Sequence, residues 1–220
     1  MFESLRAGGF IDEDMFGMCL AQGSTSNGTF TVGALDTRLY TGEMSWAPNI
    51  GGGLYEMPLS GITVGGKAIK VARKSAILDS GTNVLLVPTP IFDAITEVFL
   101  GYCQAGSKLK GICNVPAGTK SLLKDGCWTV TPAEAAAFPS MSLGITPKGL
   151  HMPPSTYLRT GDPACASAPA GSVSFGIRDT GASGFLIIGD TTMENYYVAF
   201  DRKNNKIGWA NRTDACGSLS

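Results

Sequence analysis

Asp79 is the residue whose surroundings in the sequence are best suited to acid–base chemistry. It follows the apolar residues 76–78, precedes Ser80-Gly81-Thr82, and is followed by a second apolar run at 84–87. A carboxylate between two apolar strands lies in a low-dielectric setting, where its ionised form needs hydrogen bonds. The Gly81 amide can approach it closely because no Cβ intervenes, and the flanking hydroxyls can donate as well. The alternative is a turn closed by an Asx hydrogen bond, with no catalytic role.

The charge and histidine content exclude several other chemistries. The 17 Lys and Arg nearly balance the 18 Asp and Glu, and no run of like charge occurs, so we expect no nucleic-acid or membrane-surface partner. The single histidine, His151, excludes sites that need two or more histidines, which include most catalytic zinc sites. We expect His151 to lie in a loop or on an edge strand rather than to act as a base.

The six cysteines predict three disulfide bonds and an oxidising compartment, because they are widely scattered in a glycine-rich chain without CxxC spacing. Spacing alone leaves many pairings open. Two glycosylation sequons, at Asn27 and Asn211, agree with a secreted or luminal protein. The residues after Met1 do not read as a signal peptide, and no apolar window approaches the roughly 18 residues of a membrane-spanning helix. We therefore expect the chain to be a piece of a longer protein.

Turn residues dominate the chain and predict many short strands. The sequence has 29 glycines and 12 prolines, with no repeat that would suggest a fibrous protein. Strands are expected at 29–32 and 44–47, and hairpins around Gly65-Gly66 and around 203–205.

Three helices are predicted between these strands. The first ends at Gly8-Gly9, the second begins with Thr89 as its N-cap, and a capping box at Thr131 opens the third. Tyr196 and Tyr197 are expected to alternate across a strand, with one ring buried and the other exposed. The predicted fold class is mostly β, with a few short helices.

Several ordered segments match one known family. Residues 185–190 (Phe-Leu-Ile-Ile-Gly-Asp), followed by 196–201 and 207–210, resemble the C-terminal signature of the pepsin-like aspartic peptidases of family A1. Residues 79–82 resemble the second active-site motif of that family. Further matching segments occur in the same order at 10–16, 35–42 and 152–157. The resemblance implies one lobe of the bilobal acid-protease β-barrel fold: residues 1–220 would be the C-terminal lobe, and the N-terminal lobe would be absent.

The resemblance also assigns roles to individual residues. Asp79 would be the C-lobe member of a catalytic pair of aspartates. Gly81 would donate its N–H to the inner carboxylate oxygen and Thr82 its hydroxyl to the outer one. Ser80 would brace the two lobes against each other, and Gly189 would lie in the strand that threads the active-site loop. The resemblance thereby assigns catalytic support to four residues: Ser80, Gly81, Thr82 and Gly189. Two residues match positions near the substrate cleft: Ile77 and Asn83.

The same resemblance implies a disulfide pattern. Cys127 and Cys165 lie where pepsin-like C-lobes carry their common bridge, and Cys103 and Cys113 would close a short surface loop. Cys19 and Cys216 would form an extra bridge of the β-secretase type.

The resemblance implies that the chain is the C-terminal half of an aspartic endopeptidase, a hydrolase that would be made as a zymogen. Two carboxylates that share a proton allow one to act as a base on a water while the other acts as an acid. We therefore expect the chain alone to be inactive, and its partners to be a peptide or protein substrate, the N-terminal lobe and, in the full enzyme, pepstatin-type inhibitors. No metal or organic cofactor is expected, because the nucleophile in this chemistry is a water held by the carboxylates. The expected location is the secretory pathway, in a secreted, vacuolar or lysosomal-type compartment.

Two other functions remain open at the level of sequence. Pepsin-like folds can lose catalysis and keep the cleft as a binding or inhibitor-type module. The second alternative is a dimeric peptidase, in which each of two copies supplies its Asp79. A homodimer of the isolated lobe can also form without activity, because loss of the N-terminal lobe would expose an apolar face.

Overall fold

Strands dominate the structure. A computed structural model describes residues 2–21, 28–182 and 184–217, and within these ranges it contains 17 strands and five α-helices. Strands make up 32% and helices 19%, so the predicted mostly-β class is confirmed. The strands are β1 (Met15–Cys19), β2 (Thr29–Val32), β3 (Tyr40–Pro48), β4 (Glu56–Pro58), β5 (Ile62–Val64), β6 (Lys67–Ile69), β7 (Ser75–Leu78), β8 (Leu85–Val87), β9 (Trp128–Thr129), β10 (Met141–Leu143), β11 (Leu150–Met152), β12 (Leu158–Thr160), β13 (Ser172–Phe175), β14 (Ile177–Asp179), β15 (Ile187–Ile188), β16 (Tyr196–Asp201) and β17 (Lys206–Arg212). The helices are α1 (Phe2–Ala7), α2 (Thr89–Gln104), α3 (Pro132–Ala135), α4 (Pro154–Tyr157) and α5 (Asp190–Met193).

The sheet that carries Asp79 has the strand order β14-β8-β15-β7-β4. In this sheet β15 pairs in parallel with β7 and antiparallel with β8. It therefore lies between the two strands that flank residues 79–84. These residues must cross over the end of β15 to pass from β7 to β8.

The other strands form three sheets among the described residues, with orders β2-β1-β16-β17-β3, β11-β10-β5-β6 and β12-β13-β9. Both predicted hairpins are present, as β5–β6 and β16–β17. In the first, Val64 pairs with Lys67 around Gly65 and Gly66, whose φ angles of 54° and 79° suit a two-residue turn. His151 lies exposed on the edge strand β11, as expected.

The helix α2 packs its apolar stripe into the main core. Ile91, Ile95 and Phe99 are buried, and the Phe99 ring meets those of Tyr157 and Phe175 edge-on, at centroid distances of 5.8 and 5.5 Å. Aromatic pairs favour such edge contacts. Among the described residues, no helix is long and apolar enough to cross a membrane.

Two local predictions are corrected by tertiary contacts. Thr89 is not the N-cap of α2: Pro88 occupies that position, and the Thr89 hydroxyl donates instead to the Asp179 carboxylate at 2.8 Å. Tyr196 and Tyr197 do alternate across β16, but both rings are buried because other residues cover both faces of that sheet. The capping box at Thr131 is present, with Glu134 as its partner.

Three disulfides tie the chain together: Cys19–Cys216, Cys103–Cys113 and Cys127–Cys165. These are the pairs that the family resemblance implies. The first joins the end of β1 to the segment after β17, across a sequence separation of 197 residues.

Removing the long-range bridge is expected to cost more stability than removing the short one. In the chain-entropy treatment, closing loops of 197 and 10 residues contributes about 5 and about 3 kcal/mol. Urea unfolding of the double variant Cys19→Ala/Cys216→Ala should therefore show the larger loss, with Cys103→Ala/Cys113→Ala as the control. Equal losses in the two variants would contradict this reasoning.

Candidate active site

Asp79 lies at the end of β7, where the backbone is fixed by its neighbour β15. Its N–H donates to the Ile188 carbonyl at 3.0 Å, and the Ile77 N–H donates to the Leu186 carbonyl at 3.0 Å. Ala76 and Leu78 belong to the main core, so the alternation of the strand turns Ile77 and Asp79 to the opposite face. The strand thus presents the carboxylate at its tip, half-buried.

Each oxygen of the Asp79 carboxylate accepts one hydrogen bond from the turn that follows. The Gly81 N–H donates to Oδ1 at 2.9 Å, and the Thr82 hydroxyl donates to Oδ2 at 2.7 Å. The Thr82 N–H also donates to the Asp79 carbonyl at 3.1 Å. Together these bonds fix the plane of the carboxylate and leave it facing outward beside exposed Ser80 and Gly81.

A second Asp-x-Gly turn in the chain shows which of these bonds is specific. The Gly181 N–H donates to Asp179 Oδ1 at 2.8 Å, as Gly81 does to Asp79. Both Asp179 oxygens accept from the hydroxyl of Thr89 in α2, however, and this turn follows β14 at the edge of the sheet. The hydrogen bond from the glycine N–H to the aspartate is therefore a feature of Asx turns that both sites share. The threonine at the third position after the aspartate and the strand β15 beside it distinguish Asp79.

Gly189 makes the close packing around this turn possible. A Cβ at this position would lie 2.1 Å from the Thr82 carbonyl oxygen and 2.5 Å from that of Val84. No side chain fits there, because real Cβ atoms do not approach backbone oxygens so closely. Gly189 lies between β15 and α5, and its lack of a Cβ lets the end of β15 pack closely against the loop of residues 79–84.

The first turn of α5 holds the carbonyls of that loop. The Asp190 N–H donates to the Thr82 carbonyl at 2.8 Å, and the Thr191 hydroxyl donates to the Asn83 carbonyl at 2.6 Å. Arg159, from β12, donates to the same Asn83 carbonyl and to the Thr191 hydroxyl oxygen. The sequence motifs did not identify Thr191 or Arg159, because neither belongs to a local pattern around Asp79.

Of the predicted residues, Gly81 and Thr82 contact the Asp79 carboxylate directly, and Gly189 packs against the loop that follows it. Ile77 is buried two residues before the carboxylate. Ser80 and Asn83 are exposed, and within the described ranges their side chains have no hydrogen-bond partner.

Asn83 borders a cavity of about 580 Å³ with a mixed-charge wall. The charged residues that line it are Asp125, Arg159, Asp162, Arg178, Asp190 and Glu194. Burial raises the pKa of Asp190 and that of Glu194, and the Arg159 guanidinium lowers both in part. Among the described residues no cluster of three or more His, Cys, Asp or Glu is placed to hold a metal ion. A carboxylate held in this way at the Asp79 turn can transfer a proton or hold a water.

Asp190→Asn is expected to stabilise the chain more at neutral than at acidic pH. Burial raises the pKa of Asp190 above its usual 3.8, and its Oδ1 is buried without a hydrogen-bond donor among the described residues. The folded state thus holds this proton more tightly than the unfolded chain, and its stability falls as pH rises through that range. The free energy of unfolding, measured with urea at about pH 3 and about pH 7, should therefore lose less between these two pH values in the variant than in the parent chain. The exposed carboxyl of Asp93 on α2 gives the control Asp93→Asn; an unchanged pH dependence in Asp190→Asn would contradict the expectation.

Comparison with known proteins identifies the family to which this fold and turn belong. The model of the family described as eukaryotic aspartyl protease matches residues 1–212. Pepsin-2B of Gadus morhua is 26% identical over 210 residues, which are 96% of this chain and 57% of that protein. Pepsin-3 of Oryctolagus cuniculus (27%) and pepsin A of Sus scrofa (26%) match over 211 residues, 96% of this chain and 49% of each relative. The chain spans about half the length of these curated relatives. With its mostly-β sheets and this match along nearly its whole length, the chain belongs to the eukaryotic aspartyl protease family, as a pepsin-like lobe.

Proposed function

We propose that this chain is the C-terminal lobe of an aspartic endopeptidase and that Asp79 is one of its two catalytic aspartates. The observation that carries the proposal is the turn around Asp79, in which Gly81 and Thr82 each donate to one carboxylate oxygen. In the other Asp-x-Gly turn, at Asp179, the turn itself supplies only the glycine bond, and the hydroxyl donor comes from Thr89 in α2. The N-terminal lobe supplies the second aspartate, since the match covers about half of each relative.

In the proposed reaction the two carboxylates hold a water between them. One takes a proton from the water as it attacks the peptide carbonyl, and the other provides a proton for the departing amine. Gly81 and Thr82 keep the Asp79 carboxylate in the orientation that this exchange needs, and Gly189 lets their loop pack against β15. Because the two carboxylates themselves hold and activate the water, this mechanism calls on no metal or organic cofactor. One carboxylate cannot act as acid and base together, so the chain alone is inactive.

Substrate and lobe contacts follow from the exposed face around this turn. The substrate is a peptide or protein segment lying across Asp79, with Ile77 and Asn83 beside it; pepstatin-type inhibitors occupy the same cleft in the two-lobe enzyme. Ser80, exposed next to the carboxylate, contacts the N-terminal lobe.

An apolar surface along β1 and β2 is suited to contact with the N-terminal lobe. Phe30 and Val32 are 55% and 39% exposed, and the Phe16 ring lies 5.5 Å from those of Phe2 and Phe30. Uncovered apolar surfaces of this kind favour association. In a preparation of the chain without its other lobe, the same surface forms an inactive homodimer.

The compartment proposed for this enzyme is the secretory pathway, with a secreted, vacuolar or lysosomal-type destination and activation from a zymogen. Three disulfides support an oxidising environment. Of the two sequons, Asn27 lies outside the described residues, whereas Asn211 is exposed on β17.

Asp79→Asn is expected to abolish peptide cleavage by the two-lobe protein. Loss of one acid–base group lowers kcat by about 10²–10⁴-fold, and the loss here should lie at the upper end because both roles need the pair. The assay is pepstatin-sensitive cleavage of a peptide library at acidic pH. Asp179→Asn is the matched control, because it removes the other Asp-x-Gly carboxylate and should leave turnover unchanged.

Three outcomes of that assay would overturn the proposal in different ways. Turnover that survives Asp79→Asn places the chemistry elsewhere. Pepstatin-sensitive cleavage by the chain alone, rising with the square of its concentration, indicates the dimeric peptidase. Peptide binding without cleavage by the intact two-lobe protein indicates the binding module.

Glycosylation at Asn211 is expected when the protein passes through a eukaryotic secretory pathway. Its side chain is exposed, and the sequon Thr213 is in place two residues later. Digestion with an N-glycosidase should lower the mass of the secreted protein. Mass spectrometry should then find aspartate at position 211, because release of the glycan converts the asparagine to aspartate. Asn211→Gln removes this site, whereas Asn49→Gln, outside any sequon, should not. An unmodified Asn211 in the secreted protein would contradict the expectation.

A further inference from the structure

The guanidinium of Arg159 contacts the loop that follows Asp79, although the two residues belong to different sheets. Arg159 lies on β12, and its side chain is only 17% exposed. Its Nη1 donates to the Asn83 carbonyl and, at 3.0 Å, to the Thr191 hydroxyl oxygen. The Thr191 hydroxyl in turn donates to the same Asn83 carbonyl at 2.6 Å. Two side chains thus converge on one backbone oxygen, four residues after the candidate catalytic aspartate.

The surroundings of Arg159 are built to hold the guanidinium in this place. Glu194 Oε1 lies 3.8 Å from Nη2, with a side chain that is 19% exposed. Gly176 lines the other side, where an added Cβ would lie 3.1 Å from both Arg159 Cγ and Thr191 Cγ2. A guanidinium presents five donors in a rigid fork, so it can meet a carbonyl, a hydroxyl and a carboxylate together. Largely burying such a charge is costly unless these groups satisfy it.

We propose that Arg159 is a positioning residue for Asp79. With the Asn83 carbonyl held by Arg159 and Thr191, and the Thr82 carbonyl held by the Asp190 N–H, the backbone on both sides of the Thr82–Asn83 bond is fixed. The Thr82 hydroxyl is thereby kept aimed at Asp79 Oδ2. The catalytic part of this inference rests on the proposed function, whereas the ordering of the loop is a property of this chain.

A second arginine allows this role to be separated from simple ion pairing. Arg178 has a side chain that is 25% exposed and pairs with Asp125 at 3.2 Å and Asp162 at 3.5 Å. It borders the same cavity as Arg159. Within the described residues, however, its side chain makes no hydrogen bond to residues 79–84. Arg178→Met therefore removes comparable ion pairs without touching the loop.

Amide hydrogen exchange of the 220-residue chain, measured by NMR, tests the positioning directly. Arg159→Met is expected to speed exchange of the Gly81, Thr82 and Asp190 amides about tenfold relative to core amides of α2. Arg159→Lys, which keeps the charge but loses the fork, should give an intermediate increase, and Arg178→Met should leave these amides within about twofold of the parent. Exchange in Arg159→Met that matches the parent, or an equal acceleration in Arg178→Met, overturns the proposal.

Thr191→Val provides the decisive result if Arg159→Met does not fold. This near-isosteric change removes one donor from the same Asn83 carbonyl, so the three amides should exchange about threefold faster. If a folded Thr191→Val protein shows unchanged exchange, the joint binding of the Asn83 carbonyl by Arg159 and Thr191 does not order the loop, and the proposal is overturned.

Kinetics of the two-lobe protein test the catalytic consequence. Arg159→Met should lower kcat about tenfold with KM changed less than about twofold, and Arg159→Lys should recover part of the loss. A loss confined to KM would overturn the positioning role. If Asp79→Asn left turnover intact, the proposed function would fail, and the exchange measurements would still decide the role of Arg159 in the loop.

Discussion

The passage of β15 between β7 and β8 is the constraint on which the rest of the site depends. Because a strand occupies the space between them, the chain between β7 and β8 has to cross its end, and it does so within residues 79–84. The crossing is so tight that Gly189 meets two carbonyl oxygens of the loop at distances that exclude a Cβ. The same packing brings the first residues of α5 against the loop, where they meet its carbonyls. The position of the Asp79 carboxylate thus follows from strand order before any side chain acts on it.

The two Asp-x-Gly turns show how tertiary surroundings give similar local motifs different roles. At Asp79 the second carboxylate oxygen is bound by a hydroxyl from within the same turn, so the group is fixed by its own loop. At Asp179 both oxygens accept from Thr89, and the carboxylate serves the start of α2. The Asp179 carboxylate thereby links the end of β14 to the start of α2. The half-buried carboxylate of Asp79, by contrast, accepts its side-chain and glycine hydrogen bonds from its own turn.

Sequence patterns were sufficient where the determining contacts are local. The Gly65-Gly66 hairpin and the capping box at Thr131 depend on neighbours within a few residues, and both formed as predicted. The Thr89 N-cap failed because a carboxylate 90 residues away competes for its hydroxyl. Arg159 was missed for the same reason: its partner Asn83 is 76 residues distant, and no local periodicity marks either one. The motif at Asp79 and the strand that ends before Gly189 could thus be identified from the sequence, whereas the contacts of Arg159 and Thr191 with the loop could not.

The charges around Arg159 also bear on how the site tolerates acidity. Burial raises the pKa of both Glu194 and Asp190, so these carboxyls take up protons earlier on acidification than exposed ones. The ion pair between Arg159 and Glu194 weakens as this occurs. The contacts of Arg159 with the Asn83 carbonyl and the Thr191 hydroxyl involve groups that do not titrate, so they persist. The hydrogen bonds that hold the Asn83 carbonyl therefore do not depend on an ionised carboxylate.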